Sequence, residues 1–324
     1  MTQLLQRGSE HAAETTELTV RSVEHVADDC ISLVFEKAGG GELPSWSPGA
    51  HIDLVLGHDL IRQYSLCGDP ADGSSWRVGV LRERVSRGGS SYLHDRVRVG
   101  STLTARGPRN HFPLEPSARY LFIAGGIGIT PILTMVRAAE AAGAQWRLLY
   151  GGRRRSSMAF LGDLEQYGNR VLVRPEESNG LLDLAGFLSD AEEATAVYCC
   201  GPEPLIAAAE NACADAGLPL HVERFAPKPV VDANPNEEFE VVCADSGITA
   251  TVPADSTILA EVRKIGIEVL SSCSEGTCGT CETDVLEGIP DHRDSVLTPE
   301  ERKAGESMMI CVSRCVGKRL VLDL

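Results

Sequence analysis

Cys273, Cys278 and Cys281 stand as CxxxxCxxC, and Cys311 follows after a further 29 residues. Four thiols in this order match the spacing of plant-type [2Fe–2S] centres, in which a tight loop brings three thiolates to one side of the cluster and a later segment supplies the fourth. Such a centre moves single electrons. The loop SSCSEGTCGTC, residues 271–281, is dominated by Ser, Gly and Thr. That composition lets the backbone wrap closely and aim N–H groups at sulfur. Zinc knuckles more often use CxxC twice, and disulfides belong to oxidising compartments, so both fit the pattern less well.

Two glycine-rich turns offer a second chemistry. LFIAGGIGITPIL joins an apolar run to Gly125, Gly126 and Gly128, then Thr130 placed to cap a helix and Pro131 expected at its first position. A helix start of this kind binds anions, and missing Cβ atoms allow a dinucleotide pyrophosphate close to the backbone. The spacing is not GxGxxG, which disfavours a standard dehydrogenase unit. Without further context it reads also as a tight strand-to-helix turn with no ligand. In YCCGPEPLI a strand ends at Cys199 and Cys200 before Gly201 and Pro202. Cys200 fits a pocket floor, and on chemistry alone it fits a packed core thiol better.

A third group lies earlier. In RQYSL, Arg62 and Tyr64 share one face of an expected strand, with Gln63 between them and Ser65 after. An arginine can grip phosphate, an aromatic can cover a ring and a hydroxyl can bond a ring nitrogen. SRGGSSYLHDRV adds a second phosphate cradle with Arg87, Gly88, Gly89 and Ser90 at a helix start. Each of these residues taken singly is commonplace on a barrel surface or in a core.

The elements that must hold these groups fall into three segments. Residues 16–114 carry short alternating runs (LTVRSVEHV, ISLVFE, HIDLVL, WRVGVL, STLTARG) divided by Gly, Pro and Asp, the pattern of a small antiparallel β-barrel. Residues 115–225 alternate apolar runs (RYLFIA, WRLLY, RVLV, AVYCC) with helical stretches that stop at Gly143 and Gly217, the pattern of an α/β domain with a parallel sheet. Residues 226–237, rich in Pro and acidic or amide side chains, read as a linker before a C-terminal module at 238–324. Residues 1–15 lack the apolar stretch of a secretory signal and read as a flexible tail of a cytoplasmic protein.

At 324 residues and 43% hydrophobic the chain can build two or three cores, and no apolar run is long enough to span a membrane. The net charge of −16 argues against a nucleic-acid partner. Half of that excess lies in the C-terminal module, which holds sixteen acidic and eight basic side chains. This suits docking to a basic redox partner, and equally plain solubility. Eleven cysteines in such a chain imply thiols and cluster ligands rather than bridges.

In order along the chain, RQYSL, RGGSSYLHDRV, GPRNHFPL, AGGIGITP, YCCGPEP, ERFAP and CSEGTCGTC with the distant Cys311 resemble the phthalate dioxygenase reductase and vanillate demethylase reductase family, a branch of the ferredoxin–NADP reductase superfamily. The likeness covers residues 16–324 and implies a flavin-binding β-barrel, an NAD-binding α/β domain and a C-terminal β-grasp ferredoxin domain. It implies that Arg62 with Arg87, Gly88, Gly89 and Ser90 holds a flavin phosphate, that Tyr64 packs on the isoalloxazine and that Ser65 approaches N5. Gln63, Val80 and Arg82 join the expected flavin contacts. The family habit and the lack of an aromatic platform for adenine imply FMN rather than FAD. Gly125 to Pro131 would receive the nicotinamide pyrophosphate, Cys200, Gly201 and Pro202 would flank the ring, and Phe225 would lie near the flavin, so that Ser65, Cys200 and Phe225 form the expected catalytic set. Cys273, Cys278, Cys281 and Cys311 would ligate the [2Fe–2S] cluster, with Cys315 a packed thiol.

One departure bears on the nicotinamide. Arg153, Arg154 and Arg155 sit where relatives contact the adenosine half. Arginine there can read a 2′-phosphate, whereas NADH is the family habit and the expectation kept here. The resemblance implies a relay from NADH through FMN to the cluster and on to a separate Rieske-type oxygenase. A diiron monooxygenase reductase usually places its ferredoxin first, and a redox sensor needs no turnover; both remain as alternatives.

Overall fold

The computed structural model describes residues 15–57, 60–84, 88–192, 194–228 and 235–324. Among the described residues three large sheets, each drawn from one stretch of sequence, carry the fold, with a two-stranded ribbon beside the third.

The first holds six antiparallel strands, β1 (Thr15–Ala27), β2 (Cys30–Lys37), β3 (His51–Gly57), β4 (Leu60–Ser65), β5 (Trp76–Leu81) and β6 (Thr102–Arg109), in the order β4-β3-β6-β1-β2-β5. A bridge between Leu66 and Val78 brings the two ends together, which closes the sheet into the expected barrel. Alternation explains its interior: Leu18, Val20, Leu33, Phe35, Ile52, Leu54, Trp76 and Val78 all point inward and are buried. Helix α1 (Gly89–Arg96) plugs one end with Leu93, and its N-cap Gly88 takes φ +93, a conformation that favours glycine.

The second sheet is wholly parallel: β7 (Arg119–Gly125), β8 (Gln145–Gly152), β9 (Val171–Pro175), β10 (Thr195–Cys200) and β11 (Leu220–Glu223), in the order β11-β10-β7-β8-β9. Helix α2 (Ile129–Ala141) covers one face; short α3 (Leu161–Leu164), α4 (Glu176–Asn179) and α5 (Leu184–Leu188) follow, and α6 (Glu203–Ala216) covers the other face with α5. Gly217 in the left-handed region ends α6, as its position in the sequence implies. Strand β11 was not among the expected runs. The order reverses between β7 and β10, so the loops at residues 125–128 and 200–202 meet at a topological switch point, where α/β sheets bind ligands.

Helix α2 starts earlier than the sequence implies. A 3₁₀ turn at Gly126–Gly128 precedes it, Gly128 is the N-cap, and Ile129 is the first helical residue. Thr130 therefore does not cap: it is the second helical residue, buried, and its hydroxyl donates back to the Ile127 carbonyl. Pro131 occupies the third position rather than the first, which a helix tolerates because the N–H groups of its first turn have no partner inside the helix.

The third sheet is mixed, in the order β13-β12-β18-β14-β16, formed by β12 (Phe239–Cys243), β13 (Ile248–Val252), β14 (Glu282–Glu287), β16 (Ser307–Met309) and β18 (Arg319–Leu322). Strands β12 and β18 run parallel and the other pairs antiparallel, with α7 (Ile258–Lys264) packed over them, the β-grasp arrangement. Two short strands, β15 (Pro290–Asp291) and β17 (Arg314–Cys315), pair at one side, and α8 (Pro299–Ala304) is capped at both ends of its box by Thr298 and Glu301. No helix among the described residues is long and apolar enough to cross a membrane.

Candidate functional site

The four spaced cysteines come together. Three lie on the irregular loop between α7 and β14, and Cys311 follows β16. Cys273 contacts Cys278 and Cys311, and Cys311 contacts Cys281, so the thiols form one group. The loop's turns explain how. Ser274, Gly276 and Gly279 all take positive φ, which curls the backbone so that the N–H groups of Glu275 and Thr277 point at Cys273 Sγ, 3.3 and 3.4 Å away. The Thr280 N–H points at Cys278 Sγ at 3.4 Å. The neighbouring thiols of Cys278 and Cys311, with these donors, hold Cys273 well below the usual thiol range. A Cβ at Gly276 would stand 2.9 Å from Asp294 Cα, so glycine is what lets the loop pack on the 291–298 segment. Soft thiolates ringed by N–H donors fit a [2Fe–2S] cluster. All eleven cysteines are free, and Cys315 packs at the edge of the ferredoxin core.

Beside this loop lies a cavity of about 460 Å³ to which all three folds contribute. The barrel supplies Arg62, Gln63, Tyr64, Ser65, Gly89 and Ser90; the parallel-sheet domain supplies Thr130, Glu223 and Phe225; the cysteine loop supplies Ser272, Cys273 and Thr277. Register brings Arg62 and Tyr64 to one side of β4, opposite Leu54 and Ile52 of β3. Arg62 lies across the N-terminus of α1, where a Cβ at Gly89 would strike its side chain at 2.3 Å. That is a cradle with a fixed guanidinium over an uncapped helix start, which fits a phosphate. Gln63 is held by Asp53, wholly buried, which also pairs with Arg109 at 2.7 Å. Ser90 accepts from the Glu83 N–H.

Other expected residues are placed differently. Val80 faces the barrel core with no exposure, and Leu81 lines the cavity instead. Arg82 points outward and pairs with Asp95 at 2.7 Å. Gly88 acts as the N-cap of α1 and Arg87 lies outside the described residues. Gly125 and Gly201 pack on one another, since a Cβ at Gly201 would lie 3.1 Å from Gly125 Cα, and Pro202 with Leu205 crowds the same spot. Gly128 rests on the carbonyl of Cys200, where a Cβ would come within 2.3 Å. Gly126 takes φ +55 with open space before it. Cys200 is wholly buried, and burial drives its thiol well above the usual range. Thr130 lines the cavity while Pro131 is buried in α2. Arg153, Arg154 and Arg155 are exposed; the Arg155 N–H donates to Glu177, and Arg154 stands 4.0 Å from Asp28. Phe225 is 44% exposed at the cavity rim.

The sequence reading passed over Glu223, His51 and His111. The Glu223 Oε2 is sealed from solvent and unpartnered, and burial raises its carboxyl to about 8 although the Ser65 hydroxyl favours the ionised form. His51 pairs in register with Ser65, and burial, then the charge of Arg109, lowers it to about 3. Glu223 and His111 stand inside the quoted runs ERFAP and GPRNHFPL, but nothing in either run marks them as lining a cavity.

Comparison with known proteins agrees with this architecture. Residues 241–316 match the family model of a 2Fe-2S iron-sulfur cluster binding domain, and residues 122–211 match that of an oxidoreductase NAD-binding domain. The chain is 43% identical to phenoxybenzoate dioxygenase subunit beta of Ectopseudomonas oleovorans over 95% of its own length and 97% of that protein. Among solved structures it resembles phthalate dioxygenase reductase, described as modular for electron transfer from pyridine nucleotides to [2Fe-2S], with 33% identity, coverage of 96% and 98%, and a TM-score of 0.70. It also resembles an intact type IV self-sufficient cytochrome P450 monooxygenase at 44% identity and a TM-score of 0.88, covering 98% of this chain but only 43% of that longer one. The chain is thus an oxidoreductase with an NAD-binding domain and a [2Fe–2S] cluster domain, on the architecture of phthalate dioxygenase reductase. By near full-length identity and shared architecture, it belongs to the phthalate dioxygenase reductase family.

Proposed function

We propose that this chain is the reductase component of an oxygenase system, taking electrons from NADH through FMN and its [2Fe–2S] centre to a separate Rieske-type oxygenase in the cytoplasm. The single observation that supports it best is the cavity in which barrel, nucleotide-binding fold and cysteine loop all meet. When bound, the nicotinamide supplies a hydride, the flavin turns an electron pair into single electrons and the cluster passes these on. The protein's part is placement. Arg62, Gly89 and Ser90 at the start of α1 would hold the flavin phosphate, Tyr64 would cover the ring, and the Ser65 hydroxyl, beside Glu223, would meet its polar edge. Phe225 would screen the opposite face, and the switch point at Gly125, Gly126, Gly128 and Gly201 would admit the nicotinamide, with Cys200 beneath as packing. Cys273, Cys278, Cys281 and Cys311 would ligate the iron. The three sheets, with strands within 15–109, 119–223 and 239–322, support domain limits near 16–114, 115–225 and 238–324. The Glu177 carboxylate at the turn bearing Arg153 and Arg155 disfavours a 2′-phosphate and supports NADH over NADPH.

The structural likeness to a self-sufficient P450 supports a second reading of the partner, a haem oxygenase. One preparation tests both levels. Cys278→Ala abolishes NADH-driven reduction of cytochrome c while NADH still bleaches the flavin; loss of both together sinks the proposed order. Mixing the reduced native protein with a Rieske oxygenase and, separately, with a P450 haem domain then decides the partner by which is reduced faster.

A further inference from the structure

Two histidines that line the cavity lie between the barrel and the cysteine loop. His51 opens β3, flanked in register by Ser65 on one side and Arg109 on the other, and only 5% of it is exposed. His111, on the segment after β6, stacks on it with ring centroids 5.8 Å apart and planes 27° from parallel. The far edge of His111 meets the cysteine loop: its Nε2 is 2.6 Å from where a Cβ at Gly279 would be. Gly279 lies between Cys278 and Cys281 and takes φ +72, so both its missing Cβ and its backbone conformation serve this approach.

We propose that the His51–His111 stack is the seat on which the cysteine loop is set against the barrel, with His111 bearing on Gly279 and His51 backing it. Both are positioning residues for electron passage between the cavity and the four-cysteine centre, an inference that rests on the functional reading above. Three observations converge. The ferredoxin core is built wholly from residues of 239–324, so its placement depends on surface contacts. Its hydrogen bonds to the preceding chain include the Lys228 N–H to Ser295 Oγ at 2.8 Å and Arg293 to Asn236 at 2.6 Å, which tie down the two ends of the linker. The stack itself is rigid, because β3 fixes His51 and the cation of Arg109 is turned toward Asp53. Burial lowers both imidazoles from the usual range; the titratable and charged groups facing His51 are Arg109, His111 and Cys273, and those facing His111 are Arg109, Glu282 and Glu301.

The test uses the holoprotein and reads two things. After rapid mixing with NADH, His111→Ala slows cluster reduction relative to flavin reduction by about tenfold or more, since the cysteine loop loses the ring that sets its distance from the cavity. The electron paramagnetic resonance spectrum of the reduced cluster keeps its g values. Without turnover, hydrogen exchange quickens in residues 274–280 and not in β12 or β18. His111→Gln, which has no stackable plane, gives the same pattern, and His111→Phe, which keeps a flat ring, restores the rate ratio to within about threefold. A wild-type rate ratio and wild-type exchange in both His111→Ala and His111→Gln overturn the seat, and so does a His111→Phe as slow as His111→Ala. If the native protein held no flavin or iron, the functional reading would fail instead, and the exchange measurement would still judge the seat.

Discussion

The barrel meets its two neighbours in different ways. Against the nucleotide-binding fold it shares one apolar core: Cys30, Cys67 and Phe112 are buried in the same cluster as Tyr120, Phe122, Met158, Phe160 and Tyr198. Gly79 of β5 allows a close approach, because Phe160 and Thr130 stand 2.8 Å from where its Cβ would be. Around this core Asp163 takes hydrogen bonds from Arg77 of the barrel and Arg137 of α2, each at 2.7 Å. Against the ferredoxin fold the interface is polar and small-sided, and the core of 239–324 closes on itself. A shared core makes barrel and nucleotide fold one body; a closed core joined by a linker can detach as a unit. The difference teaches which half of the molecule must hold fixed geometry and which is free to present itself to a partner.

The largest break in that comparison comes from Phe160→Ala. Phe160 is 2% exposed, lies under the Arg77 guanidinium at 4.7 Å and holds φ +60, so the variant leaves a cavity without relieving the backbone. A loss of about 3–5 kcal/mol is expected for a phenyl group removed from a core. In urea unfolding followed by tryptophan fluorescence, the transition of the barrel and nucleotide fold moves to lower denaturant as one. The ferredoxin transition, followed by the visible absorbance of the cluster, stays in place. If barrel and nucleotide fold separate into two transitions, or the ferredoxin moves with them, the shared-core view fails.

A smaller effect sharpens the boundary where the three folds meet. Burial raises the Glu223 carboxyl to about 8 from an ordinary 4.5, so between those values the folded chain keeps a proton that the unfolded chain has released. Stability from this group is therefore full below about pH 4.5, falls as pH rises toward 8 and is level above. One proton corresponds to a slope of at most about 1.4 kcal/mol per pH unit. Glu223→Gln, which cannot ionise, flattens that limb in the unfolding of the barrel and nucleotide fold; an unchanged slope between pH 5 and 8 would show that the carboxyl titrates normally.

What the sequence could show follows from how local each feature is. The grouping of the four cysteines was legible because three of them lie within nine residues and their loop needs only Gly, Ser and Thr to turn. The barrel and the parallel sheet were legible because alternation and continuous apolar runs are themselves the burial pattern. Strand β11 was not: its four residues, LHVE, are all only partly buried and pair along one edge with β10. The start of α2 was misplaced because Thr130 and Pro131 imitate a cap, whereas the close approach of Gly128 to Cys200 sets the real one. Val80 and Arg82 fall on the wrong faces of β5 and its continuation for the cavity. The register of His51 with Ser65 and the seat of His111 on Gly279 join distant segments, and nothing near either residue in sequence announces the contact.

The finest probe of the shared interface is Asp163→Asn. About a fifth of each side chain in the Arg77–Asp163 pair is exposed, and of Arg137 about a quarter, so water screens the three charges and the full cost of breaking a buried pair does not apply. Asn keeps the shape and one acceptor oxygen. Both arginines also keep other partners, Arg77 donating to Ser32 and Arg137 to the carbonyls of Cys67 and Gly68. What remains is the repulsion of two guanidinium groups that no longer share an anion, expected to cost about 1 kcal/mol. That loss shrinks when the urea titration is repeated in high salt, because partly exposed charges are screened. A salt-independent loss of the same size would mean that Asp163 acts through packing, and that the apolar core alone joins the two folds.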